Sequence, residues 1–213
     1  MSIIVTLDGP GGTGKSTVSR VVAREAGLPH LDTGAFYRAA TLAVIEAGVD
    51  PSDEAAVVAV VSKAVMGQER DRMFLDGRDV SMEIRGEPVT AAVSAVSAHP
   101  GVRELLVDMQ RVWVGEHGGG VVEGRDIGSV VFPDADVKVF LDASPEVRAR
   151  RRSQQTGEGI EEVLADLNRR DRLDSTRQAS PLTVPDGAVV VDTSELTFEE
   201  VVQRLLALIR AKS

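Results

Sequence analysis

The sequence predicts an α/β fold: a doubly wound, five-stranded parallel sheet with a small β-containing insert. Three observations lead there. Short apolar runs alternate with longer stretches of helical period, and a glycine-rich turn joins the first run to the first helix. The 213 residues are enough for one sizeable core.

The first run, residues 2–7, contains Ile3, Ile4 and Val5, β-branched residues that suit a short buried strand. It is followed by Gly9-Pro10-Gly11-Gly12-Thr13-Gly14-Lys15-Ser16, which satisfies G-x-x-x-x-G-K-[ST], the Walker A pattern. Val18, Val21, Val22 and Ala26 then recur at helical spacing, predicting a helix over 15–26. Strand, glycine turn and helix together aim successive backbone N–H groups at an anion. In this pattern Lys15 reaches the β- and γ-phosphates of a nucleoside triphosphate and the Ser16 hydroxyl ligates Mg²⁺. Thr17 starts the helix near the α-phosphate. Asp8 either supports the Mg²⁺ shell through water or hydrogen-bonds the loop.

Further strands are expected near 29–31, 120–123, 137–142 and 188–192. Helices are expected at 34–47, 52–66, 88–98, 101–115, 145–155, 160–172 and 197–212. The segment 67–87 breaks the rhythm with short alternating stretches around a turn at Asp76-Gly77, and reads as a β insertion. "QQTGEGIEE", residues 154–162, is a polar break between two helices and a candidate flap. Phe36 and Trp113 are expected in the core.

Composition narrows the chemistry. The chain has no cysteine, which excludes disulfides, Cys-type zinc sites and thiol catalysis. His30, His99 and His117 are scattered, so a histidine-built metal site is not expected. A net charge of −9 argues against nucleic-acid polymers and anionic membranes as partners. Neither a signal peptide nor a membrane-spanning run is evident, so a cytoplasmic protein is expected. Yet Arg148, Arg150, Arg151, Arg152, Arg169, Arg170, Arg172 and Arg177 cluster within thirty residues, pointing to a concentrated polyanion site.

Beyond the glycine loop stand "LDTGAFYRAA" (31–40), "EGRDIGSVVFPDADVKVFLDAS" (123–144) and "RRDRLDSTRQASPL" (169–182). This set resembles the bacterial cytidylate kinase family, of the nucleoside monophosphate kinase group of P-loop kinases, along essentially the whole chain. Thr33 stands where many relatives have Ser, which keeps the hydroxyl. The long lid of the larger adenylate kinases is absent from the sequence. The resemblance implies one P-loop kinase domain over 1–213, with an NMP-binding insert near 67–94 and a short lid near 153–160. It implies transfer of the γ-phosphoryl group of ATP to CMP, and to dCMP, with Mg²⁺.

By the same resemblance, Thr33, Tyr37, Arg38 and Arg125 hold the CMP phosphate and its surroundings. Ser94, Arg103 and Asp126 read the cytosine edge, and Arg170, Asp174 and Arg177 meet the ribose and phosphates. Lys15, Arg38, Arg125, Arg170 and Arg177 form the catalytic set, while Arg148 and Arg151 reach the ATP side. Structural alternatives stand beside these roles: Tyr37 as a ring packed between helices, Ser94 as a small packing residue, Arg103 as a surface charge, Asp126 as a solvated partner of Arg125. Other functional readings are a kinase of a different small acceptor, a nucleotide-dependent switch and a silent ATP-binding module. A monomer is expected.

Overall fold

Residues Ile3–Asp8 form β1, the middle strand of a five-stranded sheet, in a computed structural model that describes residues 3–176 and 180–212. Arg177 lies outside the described residues, as do the side chains of Arg170 and Asp174. After β1 come α1 (Lys15–Ala26), β2 (His30–Asp32), α2 (Thr33–Glu46), α3 (Glu54–Val61), β3 (Met66–Glu69), β4 (Arg72–Leu75) and β5 (Arg78–Asp79). Then follow α4 (Glu87–Val96), α5 (Pro100–His117), β6 (Gly119–Glu123), β7 (Val137–Asp142), α6 (Pro145–Thr156), α7 (Ile160–Thr176), β8 (Val189–Asp192) and α8 (Phe198–Arg210). Two compact units divide them: Met1–His30 with Val114–Ser213, and Leu31–Trp113.

The order of the five-stranded sheet is β2-β6-β1-β7-β8. β1 pairs in parallel with both β6 and β7, and β7 with β8. Such strands are covered on both faces, which is why Val5, Leu7, Val121, Val139 and Leu141 are fully buried. α1 contributes Val18, Val22 and Ala23 to that core, and α8 contributes Val201, Val202, Leu205, Leu206 and Ile209. Each large aliphatic side chain so buried contributes roughly 1.5–3 kcal/mol. α8 starts on a capping box, in which the Thr197 hydroxyl accepts from the Glu200 N–H and the Glu200 carboxylate accepts from that of Thr197. The connection leaving β1 goes to one side of it, to β2, and the connection leaving β6 crosses β1 to reach β7 on the other side. The carboxyl ends of β1 and β6 therefore flank the switch point where such sheets bind ligands.

In the second unit α2, α3 and α5 bury Ala40, Val44, Val57, Val61, Val102 and Leu106, joined by Val96 of α4. The expected β insertion is a three-stranded antiparallel sheet in the order β3-β4-β5. Asp76 and Gly77 have φ of 50° and 78°, the two positive angles of a tight hairpin turn. α3 stops at Val61, short of the helix expected to 66. Val65 and Asp76 exchange hydrogen bonds, and Met66 pairs with Leu75, so sheet pairing claims the end of that apolar run.

Candidate active site

The glycine loop is shaped from outside itself. Gly9 has φ 145°, and a Cβ there would stand 2.0 Å from the Leu141 carbonyl oxygen on β7. No side chain fits. Gly14, left-handed, leads into α1 with no side-chain cap, leaving first-turn N–H groups for an anion. The Thr13 hydroxyl donates to the Pro10 carbonyl at 3.2 Å and braces the loop.

Lys15 Nζ donates to the carbonyls of Gly9 (2.7 Å) and Pro10 (2.6 Å), and Arg125 donates to that same Gly9 oxygen at 2.6 Å. Burial and then the Arg125 charge lower the Lys15 pKa to about 7, against the opposing pull of Glu123, Asp8 and Asp171. The Arg125 guanidinium also lies alongside Gly11, 3.4 Å from where a Cβ would be.

Arg148 and Arg151 hold the loop from behind. Arg148, 5% exposed, donates to the Ala143 and Gly11 carbonyls at 3.1 Å each and pairs with Asp171. The other Asp171 oxygen accepts a long 3.4 Å bond from the Gly11 N–H. Arg151 donates to the carbonyl and hydroxyl of Thr193 at 2.6 and 2.9 Å, and more distantly to the Thr13 carbonyl. In this structure both arginines contact protein carbonyls around the loop.

At the end of β6 lies a residue that sequence reasoning missed. Glu123 is buried opposite Leu7 in the sheet register. Its Oε2 accepts from the Ser16 hydroxyl at 2.8 Å and its Oε1 from the Ser19 hydroxyl at 3.1 Å, with His30 Nε2 3.2 Å away. Burial pushes the Glu123 carboxyl up, but hydrogen bonds from His30 and Ser16 and the Lys15 charge hold it below the ordinary range. The available signal was an acid closing an apolar strand just before Gly124-Arg125-Asp126. Asp8, by contrast, accepts from the N–H groups of Ile127 (2.8 Å) and Gly128 (2.7 Å). Burial raises it to about 6 despite those two bonds. These bonds go to the π-helical turn Ile127–Val131, whereas the second sequence reading expects a bond to the glycine loop. Asp126 begins that turn and is 4% exposed, which rules out a solvated pair with Arg125.

In the second unit Asp32 caps α2 by accepting from the Ala35 N–H at 3.0 Å, and Thr33 in the first turn is buried. One turn on, Arg38 donates to the Ile84 carbonyl and the Thr90 hydroxyl, both at 3.0 Å. The Arg103 guanidinium stacks 5.2 Å from the Tyr37 ring centre and donates to the Ser97 carbonyl. At 4% exposed, Arg103 is no surface charge. Tyr37 also packs on the helical core, as its structural alternative requires. Ser94, on α4, is half-buried. Phe36 is core, while Trp113 is only half-buried.

The chain matches the cytidylate kinase family over residues 5–211. A cytidylate kinase of Mycobacterium leprae is 56% identical over 216 residues, covering 99% of this chain and 97% of that one. One from Rhodococcus opacus is 53% identical, covering 100% and 96%. The chain belongs to the cytidylate kinase family. Among solved structures, the Thermus thermophilus protein TT1252 superposes with a TM-score of 0.51 at 25% identity, covering 98% of this chain and 96% of that one. Family membership makes the α/β sheet and its loop those of a P-loop kinase, with ATP as phosphoryl donor. No helix among the described residues is long and apolar enough to cross a membrane.

Proposed function

We propose that this chain transfers the γ-phosphoryl group of ATP to CMP, and to dCMP, giving ADP and the nucleoside diphosphate. The observation that carries the reading is the loop in which Lys15 and Arg125 converge on one Gly9 carbonyl. Two adjacent cations beside a ring of backbone N–H groups call for a polyanion. The acceptor phosphate is an ionised nucleophile: its oxygen bonds to the γ-phosphorus as the bond to the β-bridging oxygen breaks, and no general base is required. Positioning and charge do the rest.

In this reading Gly9 to Thr17 wrap the triphosphate, and Lys15 exchanges its loop carbonyls for β- and γ-oxygens. Arg125, Arg170 and Arg177 stabilise the transferring group, with Arg151 on the ATP side. Thr33, Tyr37 and Arg38 hold the acceptor phosphate, and Asp174 meets the ribose. The Asp126 carboxylate accepts from the cytosine amino group, while Arg103 and Ser94 donate to the ring acceptors. The Ser16–Glu123 corner fits Mg²⁺: it offers hard oxygen donors at 2.8 Å separation, few enough that phosphate oxygens and water complete the shell. Bound there, Mg²⁺ would supply positive charge to the phosphates of ATP. Residues 67–94 serve as the acceptor-binding insert and 153–160 as the lid, in a single kinase domain acting as a cytoplasmic monomer.

A coupled ADP-release assay across CMP, dCMP, UMP and AMP tests the proposal. CMP and dCMP are expected to give the highest kcat/KM. A better rate on UMP or AMP, or ATP hydrolysis indifferent to acceptor, overturns it.

A further inference from the structure

His30 has no part in the mechanism above, yet it closes a buried chain of contacts that ends on the phosphate loop. Its Nε2 lies 2.9 Å from the Ser19 hydroxyl and 3.2 Å from Oε1 of Glu123. Ser19 is fully buried and donates to that same Oε1 at 3.1 Å. The opposite oxygen, Oε2, accepts from Ser16. An ionised carboxylate only accepts hydrogen bonds, so the ring nitrogen facing it carries a proton. His30 and Ser19 thus pin one oxygen of Glu123, and the other is turned toward the loop hydroxyl. A glutamate has three side-chain torsions to fix; left to its own rotamers it would not present one oxygen in one place.

We propose that His30 is a positioning residue for the cation of the ATP complex: it clamps Oε1 of Glu123 so that Oε2 faces the Ser16 hydroxyl. The inference rests on the reading that the Ser16–Glu123 corner takes the divalent cation. Partners that orient a metal-side carboxylate influence affinity at a distance from the metal, typically by 10–100-fold. β2, which carries His30, is an edge strand of the sheet, so a contact from outside the glycine motif sets the geometry inside it.

The experiment measures Mn²⁺ binding to the complex of the protein with a non-hydrolysable ATP analogue, by electron paramagnetic resonance. Binding of the analogue alone is measured in EDTA. His30→Leu is expected to weaken Mn²⁺ binding about 10–100-fold with analogue affinity in EDTA unchanged, and His30→Gln, which restores an N–H donor, to stay within about threefold of wild type. The Mg²⁺ concentration for half-maximal kcat should rise in parallel in His30→Leu. Should His30→Leu fail to fold, His30→Asn, polar but too short to reach Oε1, is expected to show the same loss. Unchanged Mn²⁺ affinity in the donor-less variant, while Glu123→Gln weakens it, overturns the role of His30 and leaves the metal corner standing. Unchanged affinity in Glu123→Gln as well overturns the corner and the proposal with it. Equal losses in His30→Leu and His30→Gln, or a matching loss of analogue affinity in EDTA, mark a merely structural residue and also overturn it.

Discussion

Around Lys15, two cations share one carbonyl oxygen, and the lysine is held near a pKa of about 7 by burial and its arginine neighbour. Around Arg103, in the other unit, a buried guanidinium lies on a tyrosine ring and donates to a backbone carbonyl, and Arg38 donates to Ile84 and Thr90. The first arrangement carries an electrostatic cost that a bound polyanion relieves. In the second, both arginines already donate to protein oxygens, so a ligand there competes with the partners it displaces. On the proposed reading, the backbone loop of one unit serves ATP, while Arg38 and Arg103 in the other serve the acceptor.

The largest test of that contrast is Lys15→Ala. kcat should fall by about 10²–10³ or more, as when a single preorganised donor is lost, with an unchanged far-UV circular dichroism spectrum. Near-normal turnover would remove the loop from the donor role altogether. Next, Arg38→Met should raise KM for CMP by about 10–150-fold, equivalent to roughly 1.5–3 kcal/mol, with KM for ATP little moved. Arg125→Met, whose native side chain contacts Gly9, should raise both. If Arg38→Met disturbed ATP as much as CMP, the division of labour would collapse.

Smaller still is the effect on base choice. Uracil would set its O4 against the Asp126 carboxylate, so Asp126→Ala should cost CMP more than UMP. The ratio of their kcat/KM values should narrow by about tenfold, the scale of one hydrogen bond to a charged group. An unaltered ratio in steady-state kinetics would show that Asp126 reads no base.

The finest effect is protonic. Lys15 is lowered to about 7 in the ligand-free protein, so at pH 8 it is mostly neutral, whereas in the unfolded chain it stays charged up to its ordinary value of 10.5. The unfolded state then binds more protons, and the Lys15 contribution to stability rises with pH from about 7 to 10.5. Phosphate oxygens favour the ammonium, so ATP binding at pH 8 should take up most of one proton. Calorimetric titrations in two buffers of different ionisation enthalpy measure this directly. Identical enthalpies would mean that the two cations carry no such cost.

Legibility followed the distance between partners along the chain. Gly9 to Ser16 could be read because the phosphate loop is contiguous, and Asp76-Gly77 because a two-residue turn needs two positive φ angles. Glu123 was invisible as a functional group. A carboxylate ending a strand looks alike whether it faces water or Ser16, and only the register of β6 against β1 distinguishes them. The end of α3 was misjudged for a related reason. Ala64, Val65 and Met66 continue an apolar run, and it is β4, nine residues on at Leu75, that draws Met66 into a sheet. Arg148 stood out within an arginine cluster, but its partners Gly11 and Asp171 lie 137 and 23 residues away and could not be named. The roles given to Ser94, Arg103 and Asp126 came from resemblance to a family, because nothing local in those residues announces a pyrimidine.

The approach of Gly9 to Leu141 has a consequence for anyone who would excise the motif. A carbonyl from β7 presses into the space where a side chain at position 9 would be, so the curvature of the loop is imposed by a strand more than a hundred residues downstream. A synthetic peptide carrying residues 1–30 would hold every letter of the nucleotide signature and lack its mould. It should behave in solution as a flexible chain with negligible affinity for ATP, and regain a defined shape only when the complementary fragment bearing β6 and β7 is added in trans.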